Sequence, residues 1–436
     1  MKIDSLINAR WLIPIQPEKT VLENHSLALN DGRIIDIQPQ QTAAQRYQAR
    51  HNYQLDQHAL LPGLINSHTH AAMSLFRGLA DDLPLQDWLT NHIWPAEQHW
   101  VSPEFVEDGS RLAIAEMIRS GTTCFADMYF FADVTAKIAM EAGIRAVIGL
   151  IVIDFPTAWA NTPDEYFLKA GQVHHKFRNT PLVNTAFSPH SPYAVSEPAL
   201  LKLNTLAEEM DIPVMMHIHE TADEVNQSLK EHGKRPLQRL EELGLLSPRL
   251  LAVHMTQIEG SELAMLKHYG VHVVHCPQSN LKLASGFCPV NDLQLHDVNV
   301  AIGTDGAASN NDLDMMAELQ TTALLGKGVA QDPQAVDAFT VLKMATINGA
   351  RALGLDEQIG TLQKNKQADI IAIDLSELET QPLSNPMSQI VYASNRNQVS
   401  HVWVAGQTLL QDRELQTINE DEIKLNVGKW REKLYS

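Results

Sequence analysis

The sequence predicts an α/β protein: a (β/α)8, TIM-type barrel carrying a small β-sandwich built from both chain termini. Three observations point there. Short apolar, β-branched runs occur eight times between residues 60 and 302, separated by stretches with helical patterning such as 104–120 and 197–210. Residues with metal-binding side chains sit at or just past the C-terminal ends of several of these runs. The two ends of the chain instead alternate apolar and polar residues around turn signals, as antiparallel strands and hairpins do.

In chain order, residues 1–58 read as the N-terminal part of the sandwich, with a turn at Asn30-Asp-Gly-Arg33. Residues 59–360 read as the barrel, with strands expected at 60–66, 122–126, 145–153, 182–187, 213–218, 250–253, 271–274 and 298–302. Residues 361–436 complete the sandwich through alternating segments at 368–373 and 399–406. The connection 79–88 is long and ends in Trp88, where it either covers the barrel mouth or packs a surface helix.

At 436 residues and 44% hydrophobic, the chain can bury a large core. Its net charge of -19, with no Lys/Arg block, argues against nucleic acid or an anionic membrane as partner. Cys124, Cys276 and Cys288 form no C-x-x-C pair, so neither a disulfide framework nor a thiolate zinc site is expected. Residues 1–10 have no secretory h-region, and no apolar run reaches the roughly 18–20 residues of a spanning helix. A cytoplasmic protein is the expectation, with self-association left open.

The chemistry begins at P-G-L-I-N-S-H-T-H, where His68 and His70 lie two residues apart at a strand end and point the same way. Further runs end in H-I-H-E (217–220), in His254 and in G-T-D-G around Asp305. A barrel brings the C-terminal ends of its strands to one mouth. Histidines with a carboxylate suit zinc or a similar divalent ion, and a water activated by such an ion points to hydrolysis or hydrolytic deamination. Periodicity does not choose between His217 and His219 as ligand. Glu220 fits a proton shuttle or a helix first-turn acid, and Asp305 a ligand or a turn residue.

Together these motifs resemble the amidohydrolase superfamily over nearly the whole chain, and within it the 5′-methylthioadenosine/S-adenosylhomocysteine deaminases. The resemblance implies one divalent metal, zinc, held by His68, His70, His217 and Asp305, with His219 a structural neighbour. The fourth strand has no lysine to bridge a second metal. It further implies that His254 and Asp305 orient the attacking water, that Glu220 protonates N1 of an adenine ring, and that Asp305 takes the water's proton. Trp88, Glu97 and His190 would contact the substrate, Glu97 at the ribose hydroxyls and His190 at the purine. H-C-P-Q-S-N-L-K-L (275–283) reads as loop architecture after the seventh strand.

One departure bears on substrate choice. Relatives that favour S-adenosylhomocysteine carry an arginine at the end of the third strand, whereas this chain reads V-I-G-L-I-V-I at 147–153, and Arg145 lies at the strand's start. A carboxylate without such a partner enters a pocket at a desolvation cost, so 5′-methylthioadenosine is the expected substrate ahead of S-adenosylhomocysteine or adenosine. The competing expectations are a deaminase or chlorohydrolase acting on guanine, a pterin or a triazine, and, more remotely, a non-catalytic binding module.

Overall fold

In the computed structural model, which describes residues 1–434, eight parallel strands neighbour one another in chain order. They are Leu64–Thr69, Thr122–Asp127, Arg145–Val152, Val183–Pro189, Val214–Ile218, Leu250–His254, His272–His275 and Val300–Ile302. The eighth and first meet through Asp305, whose amide donates to the His68 carbonyl at 3.0 Å. Asn66 completes the seam: its Nδ2 donates to Thr304 Oγ1 at 2.7 Å and its Oδ1 accepts from the Thr304 amide at 2.9 Å. A Cβ at Gly303 would lie 2.7 Å from the His68 nitrogen, so this approach requires glycine.

The strands lie within two residues of the expected runs except the first. Residues 60–62 instead end the long strand Gln48–Pro62 of the second sheet, and the barrel strand starts at Leu64. Two strands of different sheets follow each other with only Gly63 between them, and their joined apolar residues read as one run. Gly63 is squeezed there: a Cβ would sit 2.0 Å from Thr123 Oγ1. The expected helices are present. Pro103–Arg119 starts on Ser102, whose hydroxyl accepts from the Phe105 amide at 3.2 Å, and Glu197–Met210 ends at a left-handed Asp211.

The chain termini build one eight-stranded sheet. One pairing departs from the antiparallel expectation: Lys2–Leu12 runs parallel to Gln48–Pro62, because the chain between them crosses over through two further strands and a short helix. Strand periodicity then divides the side chains of Ile370–Asp374. Ile370 and Ala372 pack with Leu12, Leu27 and Trp403 in the sheet's own core, while Ile371 and Ile373 join the barrel core. Among the described residues, no helix is long and apolar enough to cross a membrane.

Arg145 joins the two layers. It is fully buried, and its Nε and Nη2 donate to the Asp369 carboxylate at 2.9 and 3.1 Å. Asp369→Ala would leave that guanidinium buried without its counter-charge. The expected result is a loss of about 3–5 kcal/mol of stability, read from urea unfolding midpoints. A loss below about 1 kcal/mol would show that the pair is not a stabilising anchor.

Candidate active site

Three barrel strands deliver one cluster of four residues. His68 lies in the first strand and His70 one residue past its end; His217 lies in the fifth, and Asp305 follows the eighth. Their ligand atoms all fall within 4.8 Å of one another. His217 Nε2 is 3.0 Å from His68 Nε2, and Asp305 Oδ1 is 3.4 Å from His68 Nε2 and 3.1 Å from His70 Nε2. Donors about 2.0–2.1 Å from a tetrahedral ion stand roughly 3.3 Å apart, so these separations fit a divalent metal.

The second nitrogen of each ring fixes its orientation. His70 Nδ1 donates to the Met128 carbonyl at 2.6 Å and His217 Nδ1 to the His190 carbonyl at 2.8 Å, while His68 Nδ1 faces Met215 Sδ at 3.3 Å. All three Nε2 atoms therefore converge. Burial opposes a charge on His70, yet the Asp305 carboxylate outweighs it and pushes that imidazole up to about 9. Asp305 itself is held well below the usual carboxylate range: burial would raise it, but hydrogen bonds from His68 and His70 prevail. The cluster favours positive charge at its centre.

His219 turns the other way. A left-handed backbone at this residue, φ 53°, ends the strand's alternation, and Nε2 accepts from the Leu237 amide at 3.3 Å. The choice between His217 and His219 is thus made by one backbone angle, which sequence periodicity does not encode.

Glu220 and His254 stand beside the cluster. His254 Nε2 lies 3.9 Å from Glu220 Oε2 and 4.0 Å from Asp305 Oδ2, and its Nδ1 accepts from Asn280 Nδ2 at 3.0 Å. That bond leaves the ring proton on Nε2, facing both carboxylates. Burial, then the negative charges of Asp305 and Glu224, raise the Glu220 carboxyl well above its ordinary range. Two carboxyl groups in one site are driven apart, one toward the protonated form and one toward the charged form.

Trp88, Glu97 and His190 line the same cavity, of about 940 Å³, as His70, His217, Glu220, His254 and Asp305. Trp88 is buried at the start of the π-helical turn Trp88–Ile93, and Glu97 follows on helix Trp94–Trp100. Burial pushes the Glu97 carboxyl up to about 7, with Tyr129 and the His70 charge acting against it. His190 follows the fourth strand, and burial lowers it to about 3, so it is neutral in the wall. Leu89, Ile93, Trp94, Ile153 and Phe155 make another part of the wall apolar.

The amidohydrolase family profile matches residues 59–409. The chain belongs to the amidohydrolase family. It is 50% identical over 432 residues to a 5-methylthioadenosine/S-adenosylhomocysteine deaminase of Teredinibacter turnerae, covering 99% of this chain and 98% of the relative. A Saccharophagus degradans protein of the same name is also 50% identical, covering 99% and 97%. The crystal structure of an adenosine deaminase from Xanthomonas campestris with bound zinc superposes with a TM-score of 0.98 at 50% identity, covering 100% of this chain and 99% of that one.

Several side chains that shape this amidohydrolase site escaped the sequence reading. Ser279 and Ser309 donate to Asp305 Oδ2 at 2.7 and 3.1 Å. Ser279 and Asn280 both belong to segment 275–283, whose polar residues were the available signal. Glu224 accepts from the His219 and Glu220 amides at 3.0 and 2.7 Å, fixing the backbone under the acid. Arg239 lines the cavity wall, on a helix whose sequence shows no metal or acid-base pattern.

Proposed function

We propose that this amidohydrolase deaminates an adenine nucleoside at C6, taking 5′-methylthioadenosine ahead of S-adenosylhomocysteine or adenosine. Water adds at C6 and the amino group leaves as ammonia, giving the inosine analogue. The observation that carries this reading is one cavity onto which the His/His/His/Asp cluster opens through His70, His217 and Asp305, beside the acid Glu220, whose burial favours its protonated form, the acid Glu97 and an apolar wall. The deaminase names of relatives at 50% identity over nearly full length support it.

His68, His70, His217 and Asp305 would hold a divalent ion, for which we propose zinc, and such an ion would supply a water that is nucleophilic near neutral pH. Glu220, kept protonated by burial, gives its proton to ring N1 so that the ring accepts the charge developing at C6. Asp305, kept ionised, takes one proton from the water and passes it to the departing amino group, which leaves as ammonia. The new C6 hydroxyl returns its proton to Glu220 as the ring keeps the one on N1, and His254 Nε2 spans the gap between these two carboxylates. Ser279 and Ser309 hold Asp305 Oδ2 from the far side. Glu97 accepts the ribose hydroxyls and His190 meets the purine. The three cysteines are free and buried, in keeping with a cytoplasmic setting.

Ammonia release by the zinc-loaded protein tests this reading with 5′-methylthioadenosine, S-adenosylhomocysteine, adenosine and guanine. The expected order has 5′-methylthioadenosine first by kcat/KM. Turnover of guanine alone would leave the metal chemistry and overturn the roles of Glu97 and His190; a higher kcat/KM for S-adenosylhomocysteine would overturn the preference.

A further inference from the structure

The cavity wall is rich in acids: Glu97, Asp154, Glu197, Glu220, Glu231 and Asp305 all face it. Against them stands one cation, since Arg239 is the only Lys or Arg among the lining residues. It sits on helix Pro236–Glu242, beyond the fifth barrel strand, with its side chain 9% exposed. A guanidinium has five N–H donors, and burying it is costly unless they are used. Here they are poorly used. Nε is buried without a partner, Nη1 reaches the Pro192 carbonyl only at 3.5 Å, and Nη2 lies 3.6 Å from Glu197 Oε1.

Glu197 is half exposed at the start of helix Glu197–Met210, so the ion pair is loose and open to the cavity. A guanidinium beside a carboxylate is complementary to one chemical group in particular, a zwitterionic α-amino acid. Its carboxylate can take the fork of the arginine in a bidentate pair, and its ammonium can take the glutamate. Neither adenosine nor a methylthio group offers such charges.

We propose that Arg239 and Glu197 form the subsite for the α-amino-acid end of a nucleoside thioether, the class to which S-adenosylhomocysteine belongs. This rests on the nucleoside-deaminase reading of the same cavity. The subsite replaces the third-strand arginine that the sequence lacks, from a different element of the barrel. It lets an enzyme selected for an apolar tail also turn over the charged one.

The test compares kcat/KM for S-adenosylhomocysteine, 5′-methylthioadenosine and 5′-propylthioadenosine, whose tail is longer than a methyl group but uncharged, in the full-length zinc-loaded protein. In Arg239→Met the ratio of S-adenosylhomocysteine to propylthioadenosine should fall at least about tenfold, through KM, and Arg239→Lys should recover part of it. Glu197→Gln, at a half-exposed position that does not threaten folding, should lower the same ratio about threefold or more. An unchanged ratio in both Arg239→Met and Glu197→Gln, or an equal fall for all three substrates, would overturn the subsite. If the wild-type protein turns over none of the three, the deaminase reading itself falls. Calorimetric titration with S-adenosylhomocysteine then decides the subsite separately: binding weakened about tenfold in Arg239→Met supports it, and equal binding overturns it.

Discussion

Replacing Glu220 by Gln is expected to lower kcat for 5′-methylthioadenosine about a thousandfold while changing KM only a few-fold. The amide matches the carboxyl in shape but has no acidic proton to give N1. The fold has little reason to respond: the main-chain groups of Glu220 are pinned by Glu224 and by Thr256 Oγ1, which donates to its carbonyl at 2.7 Å. A fall of less than about tenfold would remove Glu220 from the acid role.

The pH profile gives the same assignment a sign. Burial and the neighbouring charges of Asp305 and Glu224 raise the Glu220 carboxyl, and its protonated form is the one the proposed reaction needs. Activity is therefore present below that raised pKa and lost as pH climbs through it. Glu97 acts on the other limb. Its carboxyl is pushed up to about 7, and in its proposed role the ionised form accepts from the ribose hydroxyls more strongly than the neutral one, so kcat/KM is expected to fall as pH drops below about 7. Glu97→Gln is expected to flatten the acid limb and leave the alkaline one.

Removing the metal is expected to abolish turnover and to lower Tm, with zinc restoring both. The donors sit at 0–14% side-chain exposure, and three imidazoles and a carboxylate are held with their ligand atoms facing one another. An ion that binds only the folded chain stabilises it by about 4 kcal/mol at a thousand times its Kd. His217→Ala should lose both the zinc-dependent shift in Tm and the activity. His219→Ala should keep the zinc-dependent shift, since that ring faces Leu237 and Glu262 instead. A Tm indifferent to zinc would mean that these four residues form no metal site.

The barrel was legible because its strands are buried on both faces and read as continuous apolar runs, and because chemistry accumulates at their C-terminal ends. Where that signal failed, the cause was physical. Leu60, Leu61, Leu64 and Ile65 read as one apolar run, yet they belong to different sheets divided at Gly63, where the chain passes too close to Thr123 for any side chain. The parallel pairing of Lys2–Leu12 with Gln48–Pro62 leaves no local mark, since alternation is the same in either direction.

What the sequence determined by itself was a set of candidate groups and their order along the strands: His68, His70, the pair His217 and His219, Glu220, His254 and Asp305. Side-chain type and strand period are local properties, and they survive in a one-dimensional reading. Tertiary structure alone decided the rest. The left-handed backbone at His219 sends one of two equivalent histidines away from the cluster. Ser279 and Asn280 reach Asp305 and His254 only because adjacent barrel strands bring together segments 26 residues apart in sequence. Arg239 meets Glu197 across 42 residues of sequence only because two helices outside the barrel overhang one mouth. Such convergence depends on how elements pack, and no spacing along the chain records it.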